Sequence, residues 1–121
     1  MKIFYGYFED AADVYTAFEV PPDLTIQFVY AGYEQESYEG YAFVLFFKDG
    51  KLYEVNGNHC SCNDLGDQWE PEETTRTALE ARSSVPKAAL ENLDTFRCIL
   101  HEDCIAHPEL GLACVKETYV H

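Results

Sequence analysis

Tyr41-Ala42-Phe43-Val44-Leu45-Phe46-Phe47-Lys48-Asp49-Gly50-Lys51-Leu52-Tyr53-Glu54-Val55 decides the fold of this chain. Residues 41–47 are apolar throughout and of strand length. A strand with no polar side is covered on both faces, so a central position in a sheet is expected. Asp49-Gly50 is the two-residue hairpin signal, because both central residues of that turn take positive φ. Lys51 to Val55 then returns as the partner strand.

Towards the N-terminus, residues 3–8 suit a short first strand. Glu9 and Asp10 suit the positive end of a helix dipole. Ala11, Val14, Tyr15 and Phe18 follow at the spacing of one helix face, and Pro21-Pro22-Asp23 ends that helix. Leu24, Ile26, Phe28 and Tyr30 alternate with their neighbours, which predicts a strand covered mainly on one face. Gly32 to Gly40 reads as a polar, acidic loop.

Towards the C-terminus, Asn56-Gly57-Asn58 reads as the break that ends the return strand. Pro71, Glu72 and Glu73 suit the first turn of a helix that runs to about Arg82. Pro86 opens a second helix, with Ala89, Leu90, Leu93, Phe96, Ile99 and Leu100 at helical spacing to about Glu102. Pro108 and Gly111 end helical order, and Ala113 to Val120 is either a last edge strand or a docked tail. Fifteen of the 18 aromatic residues precede residue 59, so the sheet belongs to the first half. The expected class is α+β: a small antiparallel β-sheet, with the 41–48/51–55 hairpin central and helices packed on one face. One domain over residues 1–121 fits the length.

Twenty-two acidic against eight basic side chains give a net charge of −14. Acid is spread along the chain, and 47% of residues are apolar, so this is a folding sequence and not an acidic tail. The charge argues against direct nucleic-acid binding, which needs clustered Lys and Arg, and against an anionic membrane surface. The chain lacks an apolar run of spanning length and an export signal at its start, so a cytoplasmic setting is expected. Five cysteines, an odd number in such a setting, point to free thiols or a metal site and not to a disulfide framework.

His59-Cys60-Ser61-Cys62 is the densest chemical cluster. Cys98, His101, Cys104 and His107 recur every three residues, and Cys98 with His101, or His101 with Cys104, could complete a zinc site with Cys60 and Cys62. Cys-x-Cys is tighter than the usual zinc spacing, and the bland alternative is two small buried thiols in a turn. The expectation is a structural, metal-free cluster. A Gly-rich phosphate loop and an HExxH motif are both absent, and carboxylates are too plentiful for any pair to stand out as acid and base. Neither an enzyme nor a cofactor is expected.

The hairpin, His59-Cys60-Ser61-Cys62, Leu65, Gln68-Trp69-Glu70-Pro71-Glu72-Glu73-Thr74 and Ala78-Leu79 together resemble a family of small, uncharacterised bacteriophage and prophage proteins. The resemblance covers residues 43–82, about a third of the chain, and carries no reaction, cofactor or site. What it implies is a setting: a phage gene acting in the cytoplasm of a bacterial host cell.

A small acidic protein in that setting is expected to act by binding. The first expectation is an inhibitor of a host defence protein that handles nucleic acid, of anti-restriction or anti-CRISPR type. Its carboxylates would fill the partner's basic nucleic-acid-binding surface as a nucleic-acid mimic. Tyr33, Glu34, Glu36, Tyr38 and Glu39 mix aromatic area with charge and form the expected contact loop. Trp69 with Glu72 and Glu73 reads either as an interface anchor rimmed by acid or as a core cap at a helix entry. The alternatives are a small-molecule binder, such as a signalling-nucleotide sponge held by Arg76, Arg82, Lys87 and Arg97, and a toxin-immunity or other phage interaction protein.

Overall fold

The computed structural model describes residues 1–36, 39–59 and 64–106, with side chains at all of these except 36 and 97–106. Five strands form one sheet in sequence order: β1 (Phe4–Gly6), β2 (Gln27–Glu36), β3 (Glu39–Lys48), β4 (Lys51–His59) and β5 (Glu72–Glu73). Helix α1 (Ala11–Phe18) links β1 to β2, and α2 (Arg76–Glu80) and α3 (Lys87–Ala106) follow β5. The class is α+β, as expected. β2 to β5 pair antiparallel, while β1 runs parallel to β2, so the first unit is β-α-β.

The central hairpin is where the sequence puts it. Asp49 and Gly50 have φ of 53° and 76°, the two positive values that a type I′ turn requires, and Lys48 pairs with Lys51 across them. β3 is buried on both faces. Phe43, Leu45 and Phe47 point into one core with Leu79 of α2 and Ala89, Leu93 and Phe96 of α3. Ala42, Val44 and Phe46 point into a second core with Val14, Tyr15 and Phe18 of α1, and with Leu65. The helices therefore lie on both faces of the sheet, where the sequence suggested one. The reason is β3 itself: a strand apolar on both sides exposes whichever face is left uncovered.

Local chemistry moves several element ends. Asp10 caps α1 by accepting the Asp13 N–H, and Asp13 returns a bond from the Glu9 N–H. α1 stops at Phe18, because Glu19 turns left-handed at φ 57° two residues before the first proline. The next strand begins at Gln27 and not at Leu24. Asp23 binds the Thr25 N–H and hydroxyl, a side-chain turn that consumes residues 23–26 and leaves Leu24 97% exposed.

The alternation of Phe28 and Tyr30 also breaks. Phe28 pairs with Phe46 and Tyr30 with Leu45, so Val29 is an inserted bulge residue. Phe28 consequently faces the α1 core, and Val29 and Tyr30 both face the α3 core.

Two supposed breaks are strand. β2 runs through the expected loop to Glu36, and β3 resumes at Glu39. β4 runs through Asn56-Gly57-Asn58 to His59. At Gly57 a Cβ would lie 2.8 Å from Leu65 and 3.1 Å from the Phe18 ring. The glycine is there for close packing and not for a turn.

The helix expected from Pro71 starts later. Glu72 and Glu73 pair with Glu54 and Tyr53 as β5, and Thr75 caps α2 through the Ala78 N–H. α3 starts at Lys87, close to expectation, and its backbone continues to Ala106. The end expected at Pro108 and Gly111, and the strand or tail expected over 113–120, lie outside the described residues.

Buried Asn92 of α3 donates to the carbonyls of both Lys2 and Val29, at 2.7 and 2.9 Å. One amide thus ties the helix to the chain entering β1 and to the bulge in β2, and satisfies two carbonyls at the sheet margin. Among the described residues, no helix is long and apolar enough to cross a membrane.

Candidate functional site

The string Gln68 to Thr74 is a strap along the outer edge of β4. Thr74 donates its N–H to the Leu52 carbonyl, and Glu72 and Glu73 pair with β4. Gln68 lies opposite Asn58 in the same register, but there its side chain replaces the backbone. Gln68 Oε1 accepts the Asn58 N–H at 2.8 Å, and Nε2 donates to the Asn58 carbonyl at 2.7 Å. Pro71, which has no N–H, is exposed between these two pairings.

Trp69 turns inward from this strap. Its ring stacks on Phe46 at 5.8 Å and 7°, and meets Phe18 edge-on at 5.2 Å. Trp69 is therefore a half-buried cap on the α1 core, the second of the two readings open from the sequence. Glu72 and Glu73 remain exposed at the sheet edge.

The expected contact loop is instead a strand pair. Tyr33 and Glu34 lie on β2, opposite Ala42 and Tyr41, and Glu36 pairs with Glu39 at the hairpin end. Alternation sends these side chains to different faces. Tyr33 packs with Phe8 and Tyr7 on the α1 side, with centroids 5.4 and 5.7 Å away, on the face opposite Glu34. Glu34 and Glu39 are exposed and fall on the α3 side. Tyr38 lies outside the described residues, as does the side chain of Glu36.

The α3 side of this end holds residues that sequence reasoning missed. Counting alternately from Phe43 and Leu52, which face α3, brings Tyr41, Asn56 and Asn58 to the same side as Glu34 and Glu39. All five are exposed, with Tyr41 at 38%. Tyr41 donates its hydroxyl to Asn56 Oδ1 at 2.6 Å, and Asn56 Nδ2 donates to Glu54 Oε1 at 2.8 Å. Arg82 Nη2 donates to the same Glu54 oxygen at 2.6 Å.

Glu54 is buried, at 5% exposure. Burial pushes its carboxyl up, but hydrogen bonds from Thr74, Arg82 and Asn56 together outweigh that and hold it below the usual carboxylate range. Burial pushes the Tyr41 phenol up, so its proton stays in the bond to Asn56. Nearby, Tyr30 stacks on Tyr5 at 5.1 Å. Burial, with Glu34 and Tyr5 adding to it, pushes Tyr30 up to about 12. A sign of this site was present in the alternation of Tyr41 with Phe43, but it was hidden in a run read as apolar throughout.

Three of the eight basic side chains are shown in ion pairs. Arg76 pairs with Asp94 and Glu80, Arg82 with Glu54, and Lys48 with Asp23, at 2.6 to 2.7 Å. Hydrogen bonds from Lys48 and Thr25 hold Asp23 down at about 2. Lys87 is exposed, and the Arg97 side chain is not among those described.

Of the Cys/His cluster, His59 is the only residue whose side chain is described. Its Nδ1 is buried with no hydrogen-bond partner among the described residues. Cys60, Cys62 and His107, with the side chains of Cys98, His101 and Cys104, lie outside the described set. Among the described residues, no group of three His, Cys, Asp or Glu could hold a metal ion.

Comparison with protein-family models, with curated proteins and with solved structures finds no match to this chain.

Proposed function

We propose that this protein acts by stoichiometric binding through its acidic surface. In this reading it inhibits a host protein that handles nucleic acid, of anti-restriction or anti-CRISPR type, inside a phage-infected bacterial cell. The carboxylates occupy the partner's basic groove and keep DNA or RNA out. One observation carries the reading: a net charge of −14 on a folded chain whose Arg76, Arg82 and Lys48 are already tied to carboxylates. The field outside the molecule is therefore negative and steers a basic partner at low salt, within a screening length of about 8 Å at physiological salt.

The nucleotide-sponge alternative rests on four cations, and two of them, Arg76 and Arg82, neutralise side chains of this chain. No specific observation favours it or the toxin-immunity alternative. The test is affinity purification of the tagged protein from a bacterial host at low and high salt, with mass analysis of what co-elutes. A nucleic-acid-binding protein released by salt is the expected result. A nucleotide, or a partner indifferent to salt, would replace the proposal.

A further inference from the structure

We infer that the binding seat is the open α3-side face of β2, β3 and β4 centred on Tyr41, and that it takes an arginine-bearing segment of a protein partner. This rests on the acidic-binding reading above and narrows it to one surface and one cation.

The face is built and not merely acidic. Glu34, Tyr41 and Asn58 are direct neighbours on three adjacent strands, with Glu39 and Asn56 beside them. Three paired strands give a floor held by ladder hydrogen bonds, unlike a loop. The exposed Tyr41 ring is held in place by its hydroxyl, which bonds Asn56, which bonds buried Glu54, which is clamped by Arg82. Fixing an exposed aromatic in advance lowers the entropy cost of binding to it.

The chemistry of the occupant follows from what surrounds the ring. A guanidinium stacks on a tyrosine face and forks onto carboxylates, and Tyr41 has Glu34 directly across on β2 and Glu39 two residues away on its own strand. The Asn56 and Asn58 side chains, at the margin, can accept or donate to a peptide backbone. Lysine lacks both the plane and the fork, so this face discriminates arginine from lysine where bulk negative charge does not.

The test measures binding of labelled oligoarginine and oligolysine peptides of equal length by fluorescence anisotropy at low and physiological salt. Parent protein should prefer the arginine peptide by about tenfold, and Tyr41→Ala should remove most of that preference. Glu34→Gln with Glu39→Gln should weaken arginine binding more than Glu9→Gln with Glu19→Gln. The second pair changes charge equally at exposed positions flanking α1, which covers the opposite face of the sheet.

Backbone amide shifts of parent protein during the titration should concentrate at residues 34, 39, 41, 56 and 58. This measurement needs no variant to fold. Equal weakening by the two double variants, or shifts spread over the surface, would overturn the seat while leaving acidic binding intact. No binding of either peptide at low salt would remove both.

Discussion

The two ends of the α3-side face are built from the same strands and treated in opposite ways. Near the Asp49-Gly50 turn, Leu45, Phe47 and Leu52 are buried under α2 and α3. Towards the β2–β3 end, Glu39, Tyr41, Asn56 and Asn58 are open. The boundary is Glu54, buried like the first group and hydrogen-bonded outward to the second. The contrast teaches that β3 and β4 are each half core and half surface along their length, and not only from face to face. A charged residue can sit at the seam because Arg82, Asn56 and Thr74 satisfy its carboxylate.

That contrast can be broken most forcefully at the closed end. Leu45→Ala removes a side chain of zero exposure in the middle of the sheet. It should cost about 2–5 kcal/mol in denaturant unfolding. A cost under about 1 kcal/mol would mean that this end is not the core.

On the opposite face, Gly57→Ala places a methyl against Leu65 and Phe18. It should cost about 1–3 kcal/mol by overpacking. An unchanged unfolding midpoint would show that Leu65 yields and that the close approach is not demanding.

The seam should show itself through pH. Glu54 has a lowered folded pKa, so its contribution to stability is complete above the unfolded carboxylate value and is lost as pH falls through the folded one. Glu54→Gln should therefore flatten the acid limb of the stability–pH curve, and cost about 1–3 kcal/mol near neutral pH. Parallel curves for parent and variant would show that Glu54 does not titrate with folding.

The smallest effect on stability belongs to the open end. Reversing Glu34, Glu36 and Glu39 to Lys together should change stability by less than about 0.5 kcal/mol per site. The same triple change should weaken capture of a basic partner sharply, mainly through the association rate. Retained binding at both low and physiological salt would sharpen the comparison differently, since the open end would then be surface without a task.

How much could be read in advance differs element by element. The 41–55 hairpin was legible because its signals are local: an apolar run, and a turn whose backbone only Asp-Gly-like pairs adopt easily. α1 was legible from its spacing. Residues 32–36 were not, because glycine and glutamate look like loop until their pairing with β3 is known. Glu72 and Glu73 suit a helix start on charge alone, yet β4 offers them hydrogen bonds first.

The candidate site divides in the same way. Glu34 and Glu39 were singled out from composition, and they do meet on one exposed face. Tyr33 was grouped with them by proximity in sequence, and the strand's alternation sends it to the other side. Tyr41, Asn56 and Asn58 were passed over because they sit inside segments assigned to core or to a break.

By itself the sequence determined the charge of the molecule, the α+β class, the central hairpin and its turn. The charge is a sum over the whole chain, and the hairpin and its turn depend on residues within a few positions of one another. Only the tertiary structure decided which face each strand residue occupies beyond the Val29 bulge, where the helices lie, and that Gln68 to Thr74 seals an edge. A single inserted residue reverses every later side chain in a strand. A pairing partner some fifteen residues away, as Asn56 is for Tyr41, leaves no local mark on the chain.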